Sequence, residues 1–183
     1  SERNISFVVA SEQATEAARR VHAAFQLSKI GGGRARAAAH TDVVLLGFGR
    51  VGRALSDQIA TLDGARRVRI VGLLDRSGYV FDAKGLSPSR LVRLARQKDA
   101  GGLLSGLGGT RTSARDALML MAGHAVSRPV VVDVTGEQTG DLLRIAATAG
   151  FDLVLANKKP LAVPWDEYDR LMAAVSGAGR HLR

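Results

Sequence analysis

Short apolar runs alternate with segments of helical periodicity along the chain from residue 42 onward. The apolar runs have the character of strands that are buried on both faces of a parallel sheet, and they cover 43–46, 68–74, 130–134 and 151–156. Apolar positions spaced three and four apart predict helices over 50–62, 88–98, 113–122, 137–149 and 164–176. This order predicts an α/β fold with a doubly wound parallel sheet, in which right-handed crossovers bring the strand ends to one edge.

Two connecting segments contain glycine but show no clear periodicity. Residues 77–87 are predicted to form a loop. The run GGLLSGLGG at 101–109 has the glycine content of a phosphate-binding loop. It lacks the G-K-[ST] ending of such a loop and no strand precedes it, so we expect a mobile connector there.

The N-terminal part of the chain is predicted to be separate from the main domain. Residues 5–10 have the β-branched content of a strand, and residues 11–26 have helical spacing after an N-cap candidate, Ser11. One strand and one helix cannot bury their own apolar face, so this β-α appendage belongs to another domain or packs on the rest of the chain. The glycine-containing segment 27–41 is predicted to be a linker, which leaves 42–183 as the main domain.

The spacing of three glycines gives the first indication of chemistry. Gly47, Gly49 and Gly52 follow the first strand of the main domain as G-x-G-x-x-G and lead into a predicted helix. In that context the first glycine permits a tight turn, the second leaves room for a pyrophosphate, and the third lets the helix pack closely on the strand. Glycine triplets also occur in ordinary turns, but the strand before and the helix after favour a dinucleotide site. The helix N-terminus would then direct its N–H groups at the phosphates.

An acidic residue stands at the end of the second strand. Asp75 lies about 20 residues after the last of these glycines, where a dinucleotide site has a carboxylate for the adenosine ribose. A carboxylate at a strand end could equally cap a turn. Asp75 would repel the 2′-phosphate of NADP, whereas Arg76 could pair with it. NAD is therefore slightly favoured and NADP stays open.

The two later strands deliver polar residues to the same edge of the predicted sheet. Thr135 and Gly136 follow one of these strands, and Asn157 and Lys158 follow the other. All four are candidate cofactor-binding residues. Thr135 is alternatively an N-cap for the helix over 137–149. Lys158 is the candidate catalytic residue, because a lysine at a strand end can reach the crevice and hold an anionic or carbonyl oxygen. The alternative for Lys158 is a solvated loop lysine.

Composition restricts the partners of the chain. The 183 residues carry a formal charge of +9, but the 26 Lys and Arg residues are spread over every segment, and an aromatic content of 4% leaves little material for base stacking. We therefore expect no nucleic-acid partner. The apolar runs are too short to span a membrane. The absence of cysteine excludes disulfides and thiolate metal sites, and no other metal-ligand spacing stands out. It also fits a cytoplasmic protein.

Several stretches together resemble one enzyme family. The cofactor domain of homoserine dehydrogenase has similar sequences, in the same order, to GFGRVGRAL, VGLLDRSG, VVVDVTGEQTGDLL and LVLANKKPLA. The N-terminal stretch is similar to the end of the regulatory ACT region that precedes the dehydrogenase in bifunctional aspartokinase–homoserine dehydrogenases; it reads SERNISFVVASEQATEAARRVHAAF. Two neighbouring parts in this order are more specific than either part alone.

The resemblance implies a Rossmann-type domain of an oxidoreductase that interconverts L-homoserine and L-aspartate 4-semialdehyde with NAD or NADP, a step towards threonine and methionine. It also implies that Thr135 and Gly136 lie near the nicotinamide and that Lys158 lies between nicotinamide and substrate. The residues implied to line the pyrophosphate are Gly47, Phe48, Gly49, Arg50, Val51 and Gly52.

The same resemblance implies that the domain for substrate binding and dimerisation follows the last helix, outside this chain. We therefore expect the fragment to bind the cofactor weakly or moderately and to turn over no homoserine by itself. The full-length protein is expected to be a homo-oligomer that acts on a small-molecule substrate. The alternative function is a non-catalytic module that senses a dinucleotide and regulates a partner.

Overall fold

The computed structural model describes residues 40–61, 67–124 and 126–183, and besides these only positions 6, 8–10, 17 and 21. Contacts within the chain divide it into two compact units, Ser1–Ala37 and Ala38–Arg183. The strand predicted over 5–10, the helix over 11–26 and the linker over 27–41 lie almost wholly outside the described residues and stay predictions. The fold described below is that of the second unit.

Strands and helices alternate through the second unit as the sequence pattern predicts. The strands are β1 (Thr41–Leu46), β2 (Val68–Asp75), β3 (Gly78–Phe81), β4 (Val130–Asp133) and β5 (Asp152–Leu155). The α-helices are α1 (Arg50–Thr61), α2 (Pro88–Asp99), α3 (Ala114–Ala122), α4 (Gly140–Thr148) and α5 (Trp165–Gly177). Short 3₁₀ turns cover Leu104–Gly106 and Lys159–Leu161. None of the helices in the described ranges is long and apolar enough to cross a membrane.

The five strands form one sheet in the order β3-β2-β1-β4-β5. Strands β1, β2, β4 and β5 are parallel, which confirms the predicted doubly wound α/β arrangement. The prediction of a loop over 77–87 is wrong at its start, because β3 is an antiparallel edge strand that pairs with β2. It follows β2 through a turn at Arg76 and Ser77, and four residues are too few to show a strand pattern in the sequence.

Both faces of the sheet are covered by apolar cores. Val43 and Leu45 of β1 belong to the core on one face, together with Leu91 and Leu94 of α2. The alternate β1 residues, Val44 and Leu46, belong to the core on the other face, which also contains residues of α3, α4 and α5. Strand β1 is thus buried on both sides, and this burial explains its continuous apolar sequence.

The glycine run at 101–109 is packed against β3, so the prediction of a mobile connector is wrong. Leu104 is fully buried, and its N–H donates to Ser77 Oγ at 2.8 Å. Thr110, just after the run, exchanges two backbone hydrogen bonds with Tyr79 of β3, at 2.8 and 2.9 Å. A Cβ at Gly109 would lie 2.3 Å from the Tyr79 carbonyl oxygen, so this close approach needs a glycine.

A buried carboxylate ties together the strands at the amino edge of the sheet. Asp42 in β1 is 0% exposed and accepts two hydrogen bonds from the Arg69 guanidinium of β2, at 2.5 and 3.1 Å. It also accepts the Ser127 N–H, just before β4, at 2.6 Å. Asp42 therefore joins the neighbours on both sides of β1 at the edge opposite the glycine turn.

We expect Asp42→Asn to lower the free energy of unfolding by about 2–3 kcal/mol, because the variant leaves a partly buried guanidinium without its carboxylate. Chemical denaturation of both proteins measures the difference. The matched control is Asp141→Asn, which removes an exposed ion pair with Arg144 and should change stability little. Equal stability of Asp42→Asn and the wild type would contradict the role given to this carboxylate.

Candidate dinucleotide site

The turn between β1 and α1 has the backbone geometry that its three glycines predict. Gly47 has a φ of +104°, which L side chains rarely adopt, and its N–H donates to the Leu74 carbonyl oxygen at 2.8 Å. A Cβ at Gly52 would lie 2.1 Å from the Gly47 carbonyl oxygen, so α1 can approach the turn this closely only with glycine at that position. A Cβ at Gly49 would meet nothing within 4 Å. The turn therefore combines a tight backbone, a close helix contact and an open side.

The residues around these glycines differ in what they can offer a ligand. Phe48 is fully buried in the core beside β1 and β2, so only its backbone can face the turn. Arg50 and Val51 are exposed in the first turn of α1. Arg53 pairs with Asp99 of α2 at 2.6 Å and donates to the Phe48 carbonyl oxygen at 3.4 Å. These two contacts fasten the start of α1 to the glycine turn and to α2.

The strand order reverses next to β1. The chain runs from β1 to β2 and β3 on one side and returns to β4 on the other. There the Val134 N–H donates to the Leu46 carbonyl oxygen at 3.0 Å, and Thr135 Cγ2 lies 3.0 Å from the Cβ position at Gly47. Ligands of open α/β sheets bind in the crevice outside such a reversal. The structure thus brings Thr135 and the glycine turn to one crevice.

Thr135 does not cap the following helix, so that alternative is wrong. Helix α4 begins at Gly140, later than the predicted start at 137, and its N-cap residue is Thr139. The Thr135 N–H and hydroxyl both donate to Asp133 Oδ1, at 2.9 and 2.8 Å. Asp133 therefore turns the chain directly after β4, and several residues separate this turn from the helix.

A second buried carboxylate lies beneath the crevice. Asp133 ends β4 and is 0% exposed, and the partners that the structure describes for its carboxylate are the neutral groups of Thr135, Thr139 and Asn157. Asn157 is 5% exposed and follows β5. Asp133 and Thr139 are absent from the sequence prediction. The available signal was an aspartate inside the apolar run VVVDV, since a charged residue at a buried strand position needs specific partners.

Lys158 directly follows Asn157 on the segment after β5. Its side chain is exposed, while its carbonyl oxygen accepts the N–H groups of Leu161 and Ala162 at 3.1 Å each. The neighbouring residue Asn157 donates to Thr135 Oγ1 at 3.1 Å, so Lys158 and Thr135 lie at the same end of the crevice. The backbone of Lys158 is fixed and its ammonium group is accessible.

Asp75 ends β2 as predicted, and it caps the turn that follows, as the alternative for this carboxylate predicted. It also has one partner from a distant helix. Lys98 of α2 forms an ion pair with Asp75 Oδ2 at 2.6 Å. The Ser77 N–H and hydroxyl donate to Asp75 Oδ1 at 2.7 and 2.6 Å. Arg76 is exposed beside this carboxylate. Lys98 is a candidate site residue that the sequence did not reveal. No sequence pattern indicates that a lysine in α2 pairs with an aspartate at the distant end of β2.

Burial by itself raises the pKa of Asp75. The hydrogen bonds from Lys98 and Ser77 and the charge of Lys98 outweigh burial, so the pKa of this carboxyl lies below its ordinary value. The carboxylate is therefore ionised at neutral pH and can accept hydrogen bonds from hydroxyl groups. Within the described ranges, no group of three acidic or histidine side chains converges as a metal site.

We expect the Asp75–Lys98 pair to stabilise the fold at neutral pH but not in acid. Because the pKa of Asp75 is lower in the folded chain, the stabilisation is complete above the unfolded pKa of about 4 and is lost as pH falls through the folded pKa. Lys98→Met should lower the free energy of unfolding at pH 7 by about 1 kcal/mol, and the gap to the wild type should close in acid.

Urea denaturation across a series of pH values measures this gap. Lys84→Met, at an exposed lysine, is the control and should follow the wild type at every pH. A gap for Lys98→Met that stayed constant into strong acid would show that Lys98 acts through the packing of its methylene groups and not through Asp75.

Known proteins resemble this unit in both sequence and fold. The model of the family "Homoserine dehydrogenase, NAD binding domain" matches residues 47–183. A homoserine dehydrogenase of Pyrococcus horikoshii is 28% identical over 129 residues, which make up 69% of this chain and 38% of that relative.

Two solved structures have the same architecture. Homoserine dehydrogenase from Thermoplasma acidophilum has a TM-score of 0.60 and 25% identity, with 79% of this chain and 42% of that chain covered. A hyperthermophilic archaeal homoserine dehydrogenase in complex with NADPH has a TM-score of 0.61 and 24% identity, with 78% of this chain and 43% of that chain covered. The second likeness shows the fold alone.

The chain spans less than half the length of each of these relatives. The family match, however, begins at the first glycine of the turn and includes the ends of β2, β4 and β5. It covers most of the chain. This chain therefore belongs to the family of homoserine dehydrogenase NAD-binding domains.

Proposed function

We propose that this chain is the cofactor-binding part of an enzyme that interconverts L-homoserine and L-aspartate 4-semialdehyde by hydride transfer with NAD or NADP. The observation that carries the proposal is the glycine turn at the strand reversal, with open space at Gly49, α1 held close to the turn at Gly52, and Thr135 alongside. Family membership supports the reaction. Because the relatives are much longer, the activity is proposed for the whole protein.

The glycine turn fits a pyrophosphate. A side chain at Gly49 would fill the open space that adjoins the first turn of α1. The first N–H groups of a helix have no partner within the helix, and the helix dipole favours negative charge there. Helix α1 has no acidic residue in its first turn to oppose a phosphate. Phe48 would contribute only its backbone, and the exposed Arg50 is available for an ionic contact.

Asp75 would hold the adenosine ribose, and its ion pair with Lys98 affects the choice between NAD and NADP. An isolated carboxylate here would repel the 2′-phosphate of NADP. In the structure Lys98 offsets the charge of Asp75, and Arg76 lies exposed beside it, so this phosphate would meet two cations and one anion. These contacts make the site more compatible with NADP than the sequence alone indicates, and the Asp75 carboxylate still suits NAD.

Thr135, Gly136 and Lys158 would line the nicotinamide end of the crevice. A bound nicotinamide supplies the hydride donor or acceptor. We assign to Lys158 the role of holding the substrate oxygen, where an ammonium group stabilises negative charge as the carbonyl and alcohol forms interconvert. Its accessible side chain and fixed backbone support this role. Residues of the longer protein, outside 1–183, are proposed to bind the rest of homoserine, so this chain alone is proposed to be inactive.

The proposal extends to the organisation of the whole protein. The resemblance of residues 1–26 to the end of an ACT region supports a bifunctional aspartokinase–homoserine dehydrogenase that acts in threonine and methionine synthesis, with 27–41 as linker and 42–183 as the cofactor domain. The absence of cysteine supports a cytoplasmic location. The scattered positive charge argues against a nucleic-acid partner, and the resemblance supports a homo-oligomer.

Calorimetric titration of the 183-residue chain with NAD and with NADP tests cofactor binding. The wild type is expected to bind both. Gly49→Val should raise both dissociation constants by about tenfold or more, since its side chain would occupy the space for the phosphates while meeting nothing in the protein.

Gly177→Ala is the matched control for this titration. Gly177 also has open surroundings but lies at the end of α5, so the variant should bind both cofactors like the wild type. A wild-type chain that released no heat with either cofactor would contradict the proposed site. Tighter binding of NADP would show that Lys98 and Arg76 outweigh Asp75, and tighter binding of NAD would show the reverse.

In the full-length protein, Lys158→Ala should lower kcat for homoserine oxidation by about 100-fold or more, with a much smaller change in cofactor affinity. Steady-state kinetics measure both effects. Lys159→Ala replaces the adjacent exposed lysine and is the control, with activity near that of the wild type. If Lys158→Ala kept full activity, the catalytic role given to Lys158 would be wrong. A wild-type full-length protein that bound the cofactor but oxidised no homoserine would fit the alternative of a dinucleotide-sensing module.

A further inference from the structure

Two aspartates are completely buried at opposite edges of the sheet, and they are satisfied in different ways. Asp42, at the amino edge, pairs with the Arg69 guanidinium. Asp133, at the carboxyl edge, is held by neutral donors: the Thr135 N–H and hydroxyl, the Thr139 hydroxyl and the Asn157 amide. A buried carboxylate is costly unless each oxygen is well satisfied. The donors around Asp133 all come from segments that border the crevice.

The side-chain amide of Asn157 is used entirely within the protein. Its nitrogen lies 3.0 Å from Asp133 Oδ2, 3.1 Å from Thr135 Oγ1, 2.7 Å from the Glu137 carbonyl oxygen and 3.3 Å from Thr139 Oγ1. Its oxygen accepts the Lys159 N–H at 3.1 Å. Asn157 is 5% exposed, so little of it remains for a ligand. This geometry does not favour the predicted direct contact between Asn157 and the cofactor.

We infer that Asp133, Thr139 and Asn157, here called the Asp133 cluster, are positioning residues for the nicotinamide end of the crevice. The inference rests on the proposed function. Asp133 Oδ1 shapes the turn that presents Thr135 and Gly136, and Asp133 Oδ2 reaches Thr139 and Asn157. Asn157 then holds the backbone of Lys159, which fixes the peptide that follows Lys158.

The cluster couples two segments that the sheet alone does not fix. Strands β4 and β5 pair through Asp133 and Leu155, but Thr135 and Lys158 lie beyond the last paired residues. Hydrogen bonds in a buried, low-dielectric site are strong and directional, and a network of them selects one arrangement of its segments. Loss of one member should therefore shift the Thr135 turn and the Lys158 segment relative to each other, while the glycine turn on β1 keeps its own glycine-dependent geometry.

The consequence is a selective effect on ligands that contain nicotinamide. ADP-ribose carries the adenosine, the pyrophosphate and the second ribose of NAD but no nicotinamide. Asn157→Ala and Thr139→Val should raise the dissociation constant of the chain for NAD by about 5- to 10-fold, as expected for the loss of one or two good hydrogen bonds. Their dissociation constants for ADP-ribose should change by less than about twofold.

Titration calorimetry of both ligands, with a thermal melt of each variant, provides the test. Thr139→Ser keeps the hydroxyl and should restore wild-type binding of NAD. Asp42→Asn removes a comparably buried carboxylate at the far edge, so it should lower the melting temperature and leave both dissociation constants unchanged. Thr139→Val and Asp42→Asn both leave a buried polar group with fewer partners, so both should lower the melting temperature. Because only Thr139→Val should also weaken binding of NAD, this pair separates positioning from general destabilisation.

Three results with the variants would overturn the inference: an equal rise in both dissociation constants, no rise for NAD in folded Asn157→Ala and Thr139→Val, or failure of Thr139→Ser to restore binding. A wild-type chain that bound neither ligand would instead refute the proposed function itself. Binding of ADP-ribose by the wild type with no added affinity for NAD would show that the nicotinamide makes no contact with this end, and it would overturn the positioning role while leaving the phosphate site intact.

Discussion

The contact of α1 with the glycine turn at Gly52 is the constraint on which the crevice depends. The Gly47 carbonyl oxygen occupies the place that a side chain at position 52 would need, so the helix can start directly above the strand. This close approach places the start of α1 beside Val134, which directly follows β4. The open space at Gly49 then lies where the helix dipole favours an anion. A single missing Cβ thus sets the position of the proposed phosphate site.

Three aspartates at strand ends show how differently the same side chain is stabilised in one sheet. Asp42 is buried with a bidentate guanidinium and joins strands at the amino edge. Asp75 is less deeply placed and is kept ionised by Lys98 and Ser77. Asp133 is buried among neutral donors. The first serves the fold, the second is proposed to bind the ribose of the cofactor, and the third is proposed to connect the fold with the reactive end of the crevice.

Much of the architecture could be predicted from the sequence because strands buried on both faces leave continuous apolar runs. The four parallel strands and five α-helices were expected close to their observed bounds. Strand β3 and the packed glycine run at 101–109 could not be predicted, because each is held by hydrogen bonds to the other segment. Thr110, after the run, pairs with Tyr79 of β3, and Leu104 in the run donates to Ser77, just before β3. A four-residue edge strand carries too little pattern of its own to be distinguished from a loop.

The candidate site divides in the same way. By itself the sequence determined the glycine turn, the placement of Asp75, Thr135 and Lys158 at strand ends, and the family, because glycine spacing and the succession of strands and helices are patterns along the chain itself. Only the tertiary structure decided that Lys98 forms an ion pair with Asp75 and that Asn157 is buried. It also decided that Thr135 donates to Asp133 and does not cap a helix. Such partners are chosen by the packing of segments that are distant in sequence, and a buried polar group takes whichever donors the fold places beside it.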